Sequence, residues 1–283
     1  AGIVYRHSHR LEGVDDNMSD AAPRRRFNWP IWAAPIVSVA GLLSFPMLFV
    51  KWPLTRDVPW ANAALFVLAG WLLWMGFRRA AASDRWRAAK LTLAGVMIVV
   101  CAAPLAAFVL IRFVSAAQLP PSLKAPAVGE RAPAFTLLDE HRRSVSLTSL
   151  LSDPMPGGSG PPRGVMLIFY MYSGCRACNS EFHGVQQNLA ALAARGVRPV
   201  AISIDDTDTS RRLSEEAGYT FTFLSDPTLD VIRRYDVADQ QEGARPAEFL
   251  VDAAGIVRWR YLTDNLFVRA TAGKMFDAAA RLP

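Results

Sequence analysis

The first half of the chain alternates long apolar runs with short charged breaks, and the second half alternates short apolar runs of two different periods. Three runs carry no charge: Ile31 to Val50, Val58 to Phe77 and Leu91 to Ile111. A bilayer core about 30 Å thick needs roughly 20 helical residues at about 1.5 Å each, the length of each run. One run alone could be a buried core helix. Three in succession, with Trp29, Trp32, Trp52 and Trp60 near their ends, predict three transmembrane helices. A cleaved signal peptide fits poorly, because the first run is too long and two more follow.

From Val128 the pattern becomes that of short strands alternating with helices, an α/β layer fold with a largely parallel centre. Phe135 to Leu138 and Ser144 to Leu147 predict a leading strand pair, and Val165 to Tyr172, nearly unbroken apolar sequence, a central strand buried on both faces. After Gly174 the period changes: Cys178, Phe182, Val185, Leu189 and Leu192 recur at steps of four and three, the stripe of an amphipathic helix that Gly196 stops. There follow a strand at Val200 to Ile204, a helix around Thr209 to Ala217, a strand at Phe221 to Leu224 and a helix at Leu229 to Tyr235. A hairpin of Phe249 to Val251 with Ile256 to Tyr261 and a helix over Phe267 to Leu282 close the chain. Residues 153–164, rich in Pro and Gly, read as a solvent-exposed loop.

Composition sharpens this division. With 283 residues and 52% hydrophobic content, the chain has room for two domains, one of them in lipid. The formal charge of +6 is unevenly spread: residues 1–127 hold 14 Lys/Arg against 6 Asp/Glu, and residues 128–283 hold 17 against 19. The basic excess belongs to the apolar half, where it reports topology, and argues against nucleic acid as a partner. Arg24, Arg25 and Arg26 precede the first run, and Arg78, Arg79, Arg85, Arg87 and Lys90 lie between the second and third. Only Lys51 and Arg56 separate the first two. The amino-terminal segment, residues 1–30, is therefore expected inside, and everything after Ile111 outside a cytoplasmic (inner) membrane, facing the periplasm or cell exterior. That side permits disulfides. The first 20 residues lack an apolar period, include Met18 and are assigned no function. Residues 112–127, with Pro120, Pro121 and Pro126, predict an extended linker that lifts the outer domain off the membrane.

Of three cysteines, Cys101 lies within the third run, where a thiol usually serves packing. Cys175 and Cys178 stand at the predicted strand-to-helix junction. A three-residue step in a first helical turn brings Cα atoms to about 5–6 Å, within disulfide reach. Cys178 falls on the apolar stripe and is shielded. Cys175 sits at the helix mouth, where unpaired N–H groups, the dipole and Arg176 favour thiolate. Cys175 is thus the expected nucleophile and Cys178 the thiol that resolves a mixed disulfide. A structural disulfide would close too small a loop to restrict the unfolded chain much. A metal site would have two sulfur ligands, with His183 the only nearby histidine and none after it. His183 is read as a surface residue.

The segments VGERAPAFTLLDEHRRSVSLTSL, LIFYMYSGCRACNSEF and RPAEFLVDAAGIVRWRY, spread over residues 128–283, resemble the thioredoxin-like superfamily, in particular its AhpC/TSA (redoxin) and TlpA/ResA-like members. The resemblance implies an α/β thioredoxin-like fold, a central mixed sheet flanked by helices, following the three transmembrane helices. It puts Pro246 at the cis-proline position and Arg245 across from Cys175, where a guanidinium would lower the thiol pKa. Tyr172, Gly174, Arg176, Glu181 and Glu248 are expected around the pair. Thr220 to Val237 looks peroxiredoxin-like. Peroxiredoxins carry P-x-x-x-T-x-x-C with a later Arg; counted back from Cys175, Thr falls on Tyr172 and Pro on Ile168, which argues against efficient peroxidase chemistry, with Arg245 as the candidate for the Arg. Gly174 replaces the Trp usual before the first thioredoxin cysteine, and Phe169 takes the place of its buried acid.

The expected activity is that of a membrane-anchored thiol-disulfide oxidoreductase. Its alternatives are a thiol peroxidase and a redox-inactive binding module on the same fold. The resemblance implies no cofactor beyond the Cys175–Cys178 disulfide. Protein thiols or disulfides are the expected substrates, with the lipid bilayer and a separate membrane electron donor as further partners. With one cysteine, the spans are expected to anchor rather than relay electrons, leaving activity intact in residues 128–283.

Overall fold

The computed structural model describes residues 27–81, 87–117, 119–156, 160–239 and 243–283. The expectations for residues 1–20, for Arg24, Arg25, Arg26 and Arg85, and for the middle of the 153–164 loop lie outside them.

The apolar runs form helices α1 (Trp29–Met47), α3 (Trp60–Ala81) and α4 (Arg87–Val109), with the short α2 (Pro53–Asp57) between the first two. Pro30 opens α1, where the missing N–H has no partner to lose. All three long helices are long and apolar enough to cross a membrane. Their outward faces carry exposed Ile36, Val67, Trp71 and Val99. Between them small residues let the backbones approach: a Cβ on Gly76 would meet the Ile31 backbone at 3.0 Å. Two buried side chains there donate across the interface, Ser38 Oγ to the Cys101 carbonyl at 2.7 Å and Asn62 Nδ2 to that of Gly41 at 2.7 Å.

Past α4 the chain continues through a π-helical turn, Leu110–Val114, and then turns along the C-terminal domain. The predicted spacer does not stand off. Leu119 N–H donates to the Asp264 carbonyl, Lys124 N–H to Asp236, and Arg260 holds the carbonyls of Ala125 and Pro126. Its prolines cannot donate, so the segment offers carbonyls, which arginines of the domain take up.

The C-terminal domain is a seven-stranded mixed sheet in the order β2-β1-β5-β4-β3-β6-β7. Its strands are β1 (Thr136–Asp139), β2 (Ser144–Ser146), β3 (Gly164–Phe169), β4 (Val197–Ser203), β5 (Thr222–Ser225), β6 (Ala247–Asp252) and β7 (Val257–Leu262). Helices α5 (Leu147–Ser152) and α9 (Asp230–Arg234) pack on one face. Helices α6 (Arg176–Gln187), α7 (Leu189–Ala194) and α10 (Ala272–Ala279) pack on the other, while α8 (Thr207–Ala217) precedes β5. Every residue of β3 is buried, as its unbroken apolar sequence requires. Its side chains alternate: Val165, Leu167 and Phe169 join the α5/α9 layer, and Met166, Ile168 and Tyr170 the α6/α10 layer.

Two helices differ from expectation. The α6 stripe breaks at Asn188, whose amide donates back to the Gly184 carbonyl at 2.8 Å, so α7 is a separate turn. The closing helix begins at Ala272 and not at Phe267. Upstream, Thr263 Oγ1 accepts from Asn265 N–H and Asn265 Oδ1 from Phe267 N–H, satisfying locally the backbone groups a helix would use.

Candidate active site

Strand β3 delivers the chain to a turn at residues 170–175, and α6 starts immediately after it. Cys175 is the N-cap: its Sγ accepts the Cys178 N–H at 3.2 Å. The two residues are disulfide-bonded, with Cα atoms 5.3 Å apart. Cys178 is fully buried against the layer that holds Tyr170 and Phe182. Cys175 is half-buried. The asymmetry expected from the stripe is present, because residue 178 lies on the sheet-facing side of α6 and residue 175 at its mouth.

Of the surrounding residues, Tyr172 is exposed, and its ring lies so close to Gly174 that a Cβ there would meet Cε2 at 2.7 Å. A Trp at 174 would have to displace it. Arg176 points away from the sulfurs and donates to the Pro46 carbonyl at 2.6 Å, joining the redox helix to the end of α1. His183 is exposed and contacts Gln187.

The guanidinium at the sulfurs belongs to Arg269. It is fully buried, with Nη2 3.1 Å from Cys178 Sγ and 3.5 Å from Cys175 Sγ. Its Nη1 donates to the Leu266 and Val268 carbonyls, and its Nε lies 3.4 Å from Glu181 Oε2. Glu181, one turn beyond Cys178, faces Glu248 on β6. Both are buried. Glu248 pairs with Ile168 across β3/β6, which puts its side chain on the Cys178 side of the sheet. Burial pushes the Glu181 carboxyl up, opposed by Glu248, Arg269 and Arg56. Burial and the Glu181 charge hold Glu248 well above the usual carboxylate range.

Arg245 and Pro246 depart from expectation. No peptide bond among the described residues is cis, so the bond before Pro246 is trans. Arg245 does not face Cys175: it is buried at the edge of the domain and donates to the carbonyls of Pro120 and Thr263 and to Ser122 Oγ, at 3.0 Å for the last. The reason is demand, since the Pro120 and Thr263 carbonyls and the Ser122 hydroxyl converge on its guanidinium. Arg245→Ala is therefore expected to destabilise the protein by about 1–3 kcal/mol through lost hydrogen bonds to those groups. The alkylation profile of reduced Cys175 should not move; a raised thiol pKa would contradict the placement.

Phe169 also falls elsewhere. It faces the α5/α9 layer against Tyr235 and Phe249, opposite Cys178, so it does not occupy the position of an acid beside the pair. Sequence reasoning missed Arg269 because it lies in a stretch read as helix. The signal was there: a lone Arg after Leu266, Phe267 and Val268 is a charge in apolar company and needs a partner.

The ends of the N-terminal helices that meet the C-terminal domain complete the site. Phe45, Val50 and Phe108 cluster with Ala177, and Cys175 and Phe267 pack against them. Arg112 lies over the rings of Phe45, Phe113 and Phe267 and donates to the Arg56 carbonyl at 3.0 Å, and Asn265 Nδ2 donates to the Arg112 carbonyl. Arg56, buried in α2, adds positive charge near Glu181. A cleft of about 400 Å³ lined by Trp52, Arg176, Asn179, Ser180, His183 and Tyr219 opens beside α6.

Residues 128–260 match the AhpC/TSA family model. Alkyl hydroperoxide reductase E of Mycobacterium tuberculosis is 30% identical over 135 residues, covering 47% of this chain and 82% of the relative. Peroxiredoxin Bcp of Escherichia coli is 27% identical over 134 residues, 45% of this chain and 80% of the relative. The crystal structure of peroxidoxin BcpB from Mycobacterium tuberculosis superposes with a TM-score of 0.48 at 20% identity, covering 56% of this chain and 96% of that one. On its sequence, the chain belongs to the AhpC/TSA family.

Proposed function

We propose that the protein is a membrane-anchored thiol-disulfide oxidoreductase working through Cys175 and Cys178. The observation that carries the reading is the asymmetric disulfide at the mouth of α6, with Arg269 against both sulfurs. In the reduced state, Cys175 thiolate attacks a substrate disulfide, forming a mixed disulfide and expelling one substrate thiolate. Cys178 then attacks Cys175 Sγ, closing the protein disulfide and releasing the second substrate thiolate. The pair loses two electrons and the substrate gains them. Run backwards, the same steps oxidise a dithiol. Arg269 and the N–H groups at the start of α6 stabilise the thiolates in either direction.

The three apolar helices support a membrane anchor. Arg78, Arg79 and Lys90 cluster at the ends remote from the C-terminal domain, which favours that domain lying outside. Protein thiols or disulfides are the substrates in this reading, and a separate membrane electron donor is the further partner when it works as a reductant.

The reading is tested by Cys178→Ser, which removes the resolving thiol. A mixed disulfide on Cys175 should accumulate to near stoichiometry with a disulfide substrate, detected by mass spectrometry and released by reductant. Absence of any adduct in the folded variant would overturn it.

A second reading, thiol peroxidase, is favoured by one observation. Arg269 stands at Cys178, the place of a peroxide-orienting guanidinium, although the P-x-x-x-T-x-x-C pattern counted back from Cys178 has Cys175 for its Thr and Met171 for its Pro. In that case Cys178 meets the peroxide, and Cys175 closes the disulfide. Peroxide turnover that survives Cys175→Ser for a first stoichiometric event, but not Cys178→Ser, would select it.

A further inference from the structure

The apolar stripe that buries Cys178 and Phe182 leaves α6 a second face with a content of its own. Arg176, Asn179, Ser180 and His183 follow one another at steps of three, one and three, which puts all four on one side of the helix. That side lines the cleft of about 400 Å³, together with Tyr219 before β5 and Trp52 from the connection between α1 and α2. The exchange steps above use none of these side chains. Each of the six can donate a hydrogen bond, and among the described residues the lining holds no acid. Arg176 is exposed, spends Nη1 on the Pro46 carbonyl, and pairs with no carboxylate among the described residues. Donors around an unneutralised guanidinium suit an anion with several acceptor oxygens.

The place of the cleft narrows the choice of anion. Arg176 meets the last turn of α1 at Pro46, and Trp52 comes from the stretch that follows, where Met47, Leu48 and Leu54 are also exposed. In a bilayer, the ends of the spans lie where headgroups meet acyl chains, and Trp is a residue of that zone. A cleft of donors beside exposed apolar side chains matches a phosphate carried on hydrocarbon chains. We infer that the cleft binds the headgroup of an anionic phospholipid from the leaflet facing the C-terminal domain. The Arg176 fork takes phosphate oxygens, and the chains cover Leu48 and Leu54. A free phosphate ester shares the head chemistry but leaves those apolar side chains in water. The bound lipid bridges the redox helix and the α1–α2 connection, so it fastens the joint that covers Cys175. The inference rests on the membrane anchor proposed above and not on the exchange chemistry.

The full-length protein in neutral detergent is titrated with phosphatidylglycerol, phosphatidylcholine or glycerol phosphate, and bound ligand is counted by native mass spectrometry. Wild type should hold phosphatidylglycerol about tenfold or more tightly than either of the others. Arg176→Gln should weaken that binding about tenfold, with Arg176→Lys between the two, because a point charge replaces a fork. Arg176 also holds the Pro46 carbonyl, so Trp52→Ala, which leaves that bond in place, is the second variant and should lose binding to a similar extent. Arg79→Gln, at the far ends of the helices, should bind as wild type does. Equal binding by wild type and folded Trp52→Ala, or an equal loss in Arg79→Gln, would overturn the site. Glycerol phosphate bound as tightly as the lipid would make the ligand a free phosphate ester and overturn the lipid assignment. Vesicles carrying the protein are also washed at alkaline pH. A chain that washes off does not span the bilayer, and the anchor reading falls together with the site; a chain that stays but shows no preference for phosphatidylglycerol overturns the site alone.

Discussion

Replacing Arg269 with Ala should raise the thiol pKa of the reduced pair and make the disulfide harder to reduce. The guanidinium lies 3.1 Å from Cys178 Sγ and is fully buried, so water does not screen it. Thiolate loses Coulomb energy that thiol never had, and the reduced state rises relative to the disulfide. Each unit of thiol pKa is about tenfold in the exchange constant, or about 30 mV for two electrons. The variant also leaves Glu181 without its nearest cation, and breaking a buried ion pair costs about 3–5 kcal/mol. The pH sign follows from the carboxyls, whose folded-state pKa values are raised and would rise further. That contribution is fully present below the unfolded carboxylate pKa and is lost as pH rises through the folded one. The urea midpoint of Arg269→Ala should therefore fall further below wild type at pH 8 than at pH 5. Alkylation kinetics give the thiol pKa, and an unchanged profile in the folded variant would remove Arg269 from the site. Arg269→Lys should restore only part of the effect, because a point charge cannot reach the carboxyl, the carbonyls and the sulfurs together.

The second large effect concerns the cover over Cys175. Phe45 packs edge-on against Phe108 and Phe267, with ring centroids 5.7 and 5.3 Å away, and Cys175 touches the same cluster. Phe45→Ala deletes a buried aromatic at the joint between the helical half and the redox domain. The cost of about 3–5 kcal/mol falls on that docking rather than on either part's own core. Each 1.4 kcal/mol is tenfold in the open population, so reduced Cys175 should react with a bulky maleimide at least tenfold faster. The urea transition of the C-terminal domain should stay in place. An unchanged rate would mean the cluster does not limit access. By the same logic, excised residues 128–283 should keep the redox chemistry but react faster than the full chain, since Phe267, Ala177 and Cys175 lose their covering rings.

The N-terminal helices thus reach the site itself. Arg176 ties the first residue of α6 to the end of α1, and Arg56 sits near Glu181. The helical half is within contact of the two features that set thiol reactivity, the helix mouth and the buried charge cluster. Neither feature is at a distance from which a flexible linker would isolate it.

Much of this was legible in the chain itself, because local pattern carries it. Three runs long enough for a bilayer gave three helices, the unbroken apolar stretch before residue 170 gave β3, and the four-and-three stripe gave α6 with Cys178 inward and Cys175 at its mouth. Those features depend on neighbours within one or two turns, so spacing alone decides them. What spacing could not decide is which side chains meet across the sheet and between the halves. Arg245 and Arg269 are equally basic in sequence; only the packing sends the first to the 119–122 carbonyls and the second to the sulfurs. Glu248, which the resemblance puts near the pair, reaches it from β6, while Phe169 on β3 turns to the other layer, because strand register, not sequence distance, determines which face a residue shares. Residues 267–271 read as the start of the closing helix. The side chains of Thr263 and Asn265 capture the backbone first, and that irregular turn is what carries Arg269 into the redox centre.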